Sequence, residues 1–186
     1  MNLEWNDKRM GKFVTNAGLI TSNGPYGYDI MAAEWTHYIS YAPALIMVNI
    51  DKNAATHENI QKSNVFGVNI AAWDQNMVAS IAGGSSGKKV DKISVLKELG
   101  VEFYNGKIDV LMVRGAAMNA ECKLIEAKKV GDHMMFIGEV LEVTAHDKES
   151  LVYHNGKFWK IGEQLHKPDE KMMSKIQTLV EKYTKK

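Results

Sequence analysis

The fold prediction depends most on residues Ile30–Ile60, IMAAEWTHYISYAPALIMVNIDKNAATHENI. A loop of small residues and a tryptophan is followed by a turn at Ser40 and by an apolar run over Ala44–Asp51. The run predicts a buried strand that leads into a helix N-terminus. Backbone N–H groups without partners and the positive end of the helix dipole favour an anion there. We therefore predict that Lys52, Thr56 and this helix start bind a phosphate.

Working outward from this stretch, hairpin signals dominate the chain. Residues 13–22 and 28–33 are predicted to form a first hairpin that reverses at Asn-Gly-Pro-Tyr-Gly. Two long alternating runs, 116–129 and 133–146, predict a long antiparallel hairpin. A shorter hairpin is predicted over 151–161, turning at its Asn-Gly pair.

Helical spacing of apolar residues interrupts the strands in a few places. Three short helices are predicted at 54–63, 74–82, with Asp74 as its N-cap, and 91–99. Many strands with few helices indicate a mainly β fold with α insertions, specifically an antiparallel Greek-key-type barrel with flanking helices. We expect one domain over 1–186, with an amphipathic C-terminal helix at 168–184 appended to it.

Composition excludes several classes of function. The 23 basic and 22 acidic side chains nearly cancel, so no overall charge favours nucleic acid or a membrane surface. The single cysteine, Cys122, excludes multi-cysteine metal frameworks, and the six histidines have no metal-ligand spacing, so we expect no metal site. The N-terminus does not resemble a signal peptide, and no apolar run reaches the roughly 20 residues of a membrane span. We therefore expect a cytoplasmic protein.

The loop Gly83–Lys89, GGSSGKK, invites comparison with a nucleotide-binding P-loop. Ala82 stands where the first glycine of that motif belongs, and Lys89 stands where a magnesium-binding Ser or Thr belongs. A triphosphate site is therefore not expected. Two interpretations of the loop stay open. It is either a cationic loop, rich in hydrogen-bond donors, that binds a phosphate or the edge of a cofactor through Ser85, Ser86 and Lys88, or an ordinary solvated loop.

Two asparagines interrupt otherwise apolar strands. A buried amide needs hydrogen-bond partners, so each pairs with neighbouring backbone or points to a ligand. For Asn69 we favour the ligand, and for Asn49 both alternatives stay open. The aromatic residues Trp35 and Tyr38 also have two interpretations. They belong to the core, as most such side chains do, or they lie beside a ligand.

Taken in order, these features resemble the flavin-reductase-like family. The similarity lies in the Ala-Glu-Trp-Thr loop, the Ser-x-x-Pro turn with its strand, and Thr56 at a helix start. It extends through Phe66-Gly67-Val68-Asn69-Ile70, Asp91-Lys92, Cys122, Gly131-Asp132-His133, Gly138-Glu139-Val140 and Tyr153-x-x-Gly156-x-Phe158. The resemblance covers roughly residues 18 to 159.

The resemblance implies a split β-barrel that binds FMN, with the backbone at Ala33–Thr36 along the edge of the isoalloxazine ring. No side chain is expected to be catalytic, because the flavin itself transfers hydride or electrons. The residues predicted to bind the cofactor are Ala33, Glu34, Trp35, Thr36, Ser40, Asn49, Asp51, Lys52, Thr56, His57, Asn69, Ser85, Ser86, Lys88 and Lys92.

The resemblance also implies an oxidoreductase that uses NAD(P)H to reduce flavin, and a homodimer with FMN near the subunit interface. A flavoredoxin-type electron carrier, which retains FMN and relays electrons to a redox protein partner, is the alternative. A small-barrel binding module without redox activity is a remote third interpretation, and the near-neutral charge counts against nucleic acid as its ligand.

Overall fold

The computed structural model describes residues 1–4 and 7–184. Within those ranges the chain forms twelve β-strands and four α-helices. The strands are β1 (Val14–Asn16), β2 (Gly18–Ser22), β3 (Asp29–Ala33), β4 (Thr36–Tyr41), β5 (Ala44–Asp51), β6 (Val65–Ile70), β7 (Phe103–Asn105), β8 (Leu111–Val113), β9 (Met118–Val130), β10 (His133–Ala145), β11 (Val152–His154) and β12 (Lys157–Trp159). The helices are α1 (Ala55–Ser63), α2 (Asn76–Gly84), α3 (Lys92–Glu98) and α4 (Glu170–Lys182). The prediction of a mainly β chain with α insertions is confirmed.

Seven strands form one antiparallel sheet in the order β3-β2-β6-β9-β10-β5-β4. Its two edge strands, β3 and β4, follow each other in the chain but are not hydrogen-bonded to each other in the part of the chain described. The sheet is therefore open in its strand pairing, and closure into a barrel stays a prediction. Two smaller sheets, β1-β11-β12 and β7-β8, flank it.

The long hairpin of β9 and β10 is the central feature of the large sheet, as its alternating sequence predicted. Its strands are paired from His133 with Val130 to Ala145 with Met118, with two register shifts. The first half of β10, from His133 to Glu139, pairs with β5, which places His133 opposite Asp51. The strand that leads into α1 thus lies beside the tip of the hairpin.

Apolar residues pack on both sides of the sheet. On one side, β2, β3, β5, β6, β9 and β10 contribute to a core that includes Ala33, Val48, Phe66 and Phe136. Because this core joins residues from near both sheet edges, the sheet must curve strongly around it. The other core packs α2 and α3 against the opposite face, through residues such as Leu96.

The structure corrects two details of the predicted elements. Asp74 does not cap α2, which begins at Asn76 after Gln75, and its carboxylate instead accepts a hydrogen bond from Lys148 Nζ at 2.8 Å. The predicted first strand is broken, because β1 pairs with β11 while β2 belongs to the large sheet.

Other predicted features agree with the structure. The turn between β11 and β12 lies at Asn155 and Gly156, whose φ angles are 50° and 73°. The C-terminal helix is present, with Asp169 as its N-cap. Among the described residues, none of the helices has both the length and the apolar character needed to cross a membrane.

Candidate functional site

The connection between the two edge strands forms the first part of the candidate site. Only Glu34 and Trp35 link β3 to β4, and Thr36 at the start of β4 is buried, with its hydroxyl donating to Ala33 O at 3.1 Å. The backbone N–H of Asn49 donates to Trp35 O at 3.0 Å, so this connection is fastened to β5. The loop that was predicted to follow the isoalloxazine edge is therefore rigidly placed.

An aromatic pair marks the outer face of the sheet beside this connection. The ring of Trp35 lies 4.7 Å from the ring of His133, measured between centroids. Trp35 is 43% exposed and Tyr38 is 56% exposed, so neither is a core aromatic. His133 also accepts or donates a hydrogen bond with Asp132 Oδ1 at 2.7 Å. A planar ligand on this face would meet an accessible aromatic surface.

Asn49 points to the same outer face. Along β5 the side chains of Ile46, Val48 and Ile50 enter the core, so strand alternation places Asn49 and Asp51 on the opposite side. The Asn49 Oδ1 atom is buried and has no hydrogen-bond partner. Because buried polar atoms are nearly always paired, this oxygen is a candidate to accept a hydrogen bond from a ligand.

The N-terminus of α1 is the second part of the candidate site. Its N-cap is Ala54, whose side chain cannot accept a hydrogen bond, so no side chain caps the first N–H groups. The turn before it is held by Asp51, which accepts a hydrogen bond from Asn53 N at 2.7 Å. Lys52 is exposed in this turn. Anion binding at this helix end stays a prediction, and the absence of a side-chain cap is consistent with it.

His57 lies in the first turn of α1 and is 8% exposed. Both of its ring nitrogens are buried without a hydrogen-bond partner. Its ring packs edge-on against Phe136, with 5.4 Å between centroids. Burial lowers the pKa of His57, and the Glu58 carboxylate partly opposes this by favouring the charged form. The imidazole is thus neutral and has unused hydrogen-bonding capacity.

Thr56 and Lys92 are brought together by a residue that the sequence did not reveal. The Thr56 hydroxyl donates to Asp29 Oδ2 at 2.7 Å, and Lys92 Nζ lies 3.2 Å from Asp29 Oδ1. Lys92 Nζ also donates to Ala82 O at 3.3 Å, and all three side chains are buried. Thr56 was predicted to bind the phosphate and Lys92 to bind the cofactor, but in the structure the polar groups of both side chains are used within the protein. Their role is to join β3, α1, α2 and α3.

The glycine-rich loop packs over the same carboxylate. A Cβ at Gly87 would overlap the Asp29 carboxylate, so only glycine allows the loop to come this close. Lys88 forms an ion pair with Glu58 of α1, and its ammonium lies 5.1 Å from the centre of the Tyr26 ring. The hydrogen bond between Lys88 and Glu58 raises the pKa of Lys88 and lowers the pKa of Glu58. Ser85 and Ser86 are exposed beside it.

Two predicted site residues lie elsewhere. Ser40 pairs with Leu45 at the far end of the β4–β5 hairpin, about 20 Å along the strand from Asp51. Asn69 is fully buried, and its amide is hydrogen-bonded to Leu19 O at 2.9 Å, Val113 N at 2.9 Å and Asn119 Nδ2 at 2.6 Å. The preference for a ligand at Asn69 was wrong, because neighbouring protein groups use both ends of the amide.

A small cleft borders Thr36 on the core side. It encloses about 220 Å³ among residues such as Ile46, Val68 and Met118. Asn16 donates to Thr36 O at 2.8 Å here, while its own Oδ1 has no partner. A cleft of this size is below the roughly 300 to 1,000 Å³ of pockets for drug-sized ligands.

Asp29 and His133 are the functional candidates that sequence reasoning missed. Asp29 is one carboxylate at a strand start, and nothing local distinguishes it. His133 belongs to a Gly-Asp-His segment that carries the family resemblance, which was the available signal for including it. Within the ranges 1–4 and 7–184, no three His, Cys, Asp or Glu side chains are grouped as metal ligands.

Comparison with known proteins identifies the family of this chain. The sequence profile of the family described as "Flavin reductase like domain" matches residues 10–162. An uncharacterized protein of Pyrococcus abyssi is 32% identical over 117 residues, which are 62% of this chain and 65% of that protein. The NADH-dependent flavin reductase of a Rhodococcus species is 24% identical over 154 residues, covering 81% of this chain and 82% of that enzyme.

A solved structure is similar over most of the fold. BorF, the flavin reductase component of a bacterial two-component tryptophan halogenase, is 28% identical with a TM-score of 0.73. The superposition covers 85% of this chain and 100% of the BorF chain. The match of the family profile to residues 10–162, well over half of the chain, shows that this chain belongs to the flavin reductase-like family.

Proposed function

We propose that this chain binds FMN at the outer face beside Trp35 and at the N-terminus of α1, and acts as an NAD(P)H-dependent flavin oxidoreductase. Family members bind FMN or FAD, and the choice of FMN is part of the proposal. We also propose that the curved seven-stranded sheet forms the split barrel that the resemblance implies, as one domain with α4 appended.

One observation carries the proposal. His57 is a buried imidazole with two unpartnered ring nitrogens, next to a helix N-terminus that no side chain caps. Leaving a buried polar group unpaired costs about 1–3 kcal/mol, so such a group is retained where a ligand completes its hydrogen bonds. The phosphate of a flavin nucleotide supplies acceptor oxygens that suit both the imidazole N–H and the helix end.

The described residues divide into two binding roles. Lys52, His57 and the first N–H groups of α1 would hold the phosphate. The backbone of Ala33–Thr36, the Asn49 amide and the Trp35 ring would hold the flavin ring. The Asp29–Lys92 pair would position α1 and the glycine-rich loop around the phosphate. Lys88 is engaged by Glu58 and would contribute positive charge beside the phosphate.

The bound flavin would supply the hydride and electron transfer. The protein would position the flavin: the β3–β4 connection would hold the ring edge, and Asn49 Oδ1 would accept a hydrogen bond from the ring. His133 lies at the open face next to Trp35 and would orient the nicotinamide donor. No charged acid or base is required of the protein for this transfer.

We propose NAD(P)H as the electron donor and a separate protein as the consumer of reduced flavin. The Rhodococcus relative is named as NADH-dependent, and BorF is named as the reductase component of a two-component halogenase. A homodimer and a cytoplasmic location belong to the same proposal.

The test compares His57→Leu with the unchanged chain. Leucine removes the two unpartnered nitrogens, so the free chain should be as stable as before or more stable, while FMN binding weakens by about tenfold or more. Quenching of flavin fluorescence measures binding of FMN and of FAD, and urea unfolding measures stability. His166→Leu, in the exposed segment before α4, is the matched control and should change neither quantity.

Absorbance at 340 nm then follows oxidation of NADH and NADPH with added FMN. Oxidation that depends on FMN supports the reductase, whereas tight FMN binding without oxidation would point to the electron carrier. If neither flavin binds, or if His57→Leu binds FMN as the unchanged chain does, this site is wrong.

A further inference from the structure

Helix α4 lies outside the residues matched by the family profile and stands apart from the rest of the chain. The profile ends at residue 162, and α4 spans Glu170–Lys182. None of its residues is buried. Its side-chain hydrogen bonds stay within the helix and its N-cap, and no ion pair joins it to the rest of the described chain.

A helix of this length needs a packing partner. Isolated helices shorter than about 12–15 residues are marginal in water, even when they are capped. The apolar stripe of α4 and its C-cap is 39–72% exposed and consists of Met172, Met173, Ile176, Leu179, Val180 and Tyr183. This stripe is the surface that a partner would cover.

The spacing of the stripe is that of a coiled coil. Met172, Ile176, Leu179 and Tyr183 follow one another at intervals of four, three and four residues, which are heptad positions d, a, d and a. In parallel coiled coils, Ile at position a with Leu at position d favours two strands. The partner is therefore expected to be another helix with a free stripe.

A second copy of this chain supplies that helix. Helices α1, α2 and α3 each bury residues in the body of the described chain, so their apolar faces are already covered. Lys175 and Lys182 occupy position g, while Met173 and Val180 occupy position e. A parallel pair packs the lysine stems over Val180 or its neighbours, whereas an antiparallel pair would bring the lysines of the two copies together.

We infer that α4 pairs in parallel with α4 of a second copy of this chain, on the two-fold axis of a dimer. Residues 160–169 have no regular structure and are exposed, and ten residues reach up to about 33–36 Å. This segment lets the two helices meet without disturbing either flavin site. Six side chains are too few for the roughly 800 Å² that each partner contributes to a standard interface, so the α4 pair adds to contacts between the two bodies.

The inference is tested by cysteine cross-linking of the full chain. The native Cys122 is fully buried and does not interfere. Under mild oxidation, Met172→Cys, Ile176→Cys and Leu179→Cys should each give a disulfide-linked dimer, because a parallel pair places like residues opposite each other. Ser174→Cys, at position f on the far side of α4, is the matched control and should remain a monomer on a non-reducing gel.

Sedimentation velocity at micromolar concentration provides the second readout. Ile176→Glu combined with Leu179→Glu should raise the dimer dissociation constant by about tenfold or more, because both carboxylates enter the seam. Ser174→Glu combined with Gln177→Glu adds the same charge on the polar side and should leave it unchanged.

Four results would overturn the inference: a monomeric unchanged chain, equal cross-linking at Ser174→Cys, no disulfide at any position, or cross-linking at Ile176→Cys alone. The last result would indicate an antiparallel pair, because residue 176 is the midpoint of α4. No disulfide at any position would indicate that α4 packs elsewhere. Flavin binding is measured on the same variants, and its loss or retention is independent of the α4 pair.

Discussion

His57 combines burial, a missing hydrogen-bond partner and a titratable group in one residue. Burial lowers the pKa of its imidazole below the ordinary value of about 6.5. The folded chain therefore favours the neutral ring, and the unfolded chain takes up a proton first as the pH falls. His57 therefore makes no pH-dependent contribution to stability above about pH 6.5, and it lowers the free energy of unfolding as the pH falls from there toward the folded-state pKa.

We predict that the pH dependence of stability identifies this residue. Between pH 7.5 and pH 5.5, the free energy of unfolding should fall more in the unchanged chain than in His57→Leu, which cannot take up the proton. Urea unfolding at several pH values measures the difference. Parallel curves for the two proteins over this range would show that His57 does not titrate as its surroundings indicate.

Residue-scale surroundings also separate Asn49 from Asn69. Both interrupt apolar strands in the sequence, but Asn69 lies among groups from β2, β8 and β9 that use its whole amide. Asn49 faces outward, and its Oδ1 atom has no partner. Strand periodicity predicted that both side chains would need hydrogen-bond partners. The partners of Asn69 include Val113 and Asn119, which lie 44 and 50 positions away in the chain.

At the scale of elements, one buried ion pair organises the candidate phosphate site. Asp29 at the start of β3 contacts Thr56 of α1 and Lys92 of α3, and Gly87 packs on its carboxylate. Both charged side chains are almost fully buried, so neither can be solvated if the other is removed. The position of α1 relative to the glycine-rich loop depends on this pair.

We predict that Asp29→Asn lowers the free energy of unfolding by about 3–5 kcal/mol, because it leaves the Lys92 charge buried without its counter-ion. Glu142→Gln breaks the exposed ion pair with Lys107 and should have a much smaller effect, because exposed ion pairs contribute little to stability. Chemical denaturation of both variants measures the difference. Replacing both partners, with Asp29→Leu and Lys92→Met, should recover part of the loss, and equal effects of the two single variants would contradict the role of this pair.

At the scale of the whole molecule, Cys122 reports on the integrity of the core. It lies on β9 and is fully buried among core residues from several strands. Burial raises the pKa of its thiol to about 12, so the reactive thiolate is scarce at neutral pH. Cys122 is therefore a small buried hydrophobic residue of the core.

We predict that the folded chain reacts with a thiol reagent such as DTNB at least about 100-fold more slowly than the urea-unfolded chain, because the core must open first. The unfolded chain should release one equivalent, since Cys122 is its single cysteine. Ser174→Cys places a second thiol on exposed α4 and should add one equivalent that reacts at once. Rapid reaction of native Cys122 would contradict the packing around β9.

Periodicity, turn residues and motif order are local properties, so they predicted the strand-rich class, the long β9–β10 hairpin, the Asn-Gly turn, the C-terminal helix and the family. The folded chain was needed to show that Thr56 and Lys92 share Asp29, that Asn69 is internally paired, and that His57 and Asn49 keep unused polar atoms. These facts depend on which distant segments the sheet brings together, since Asp29 meets a threonine 27 residues away through folding alone. A side chain's hydrogen-bond partners are set by three-dimensional proximity, and no spacing along the chain encodes them.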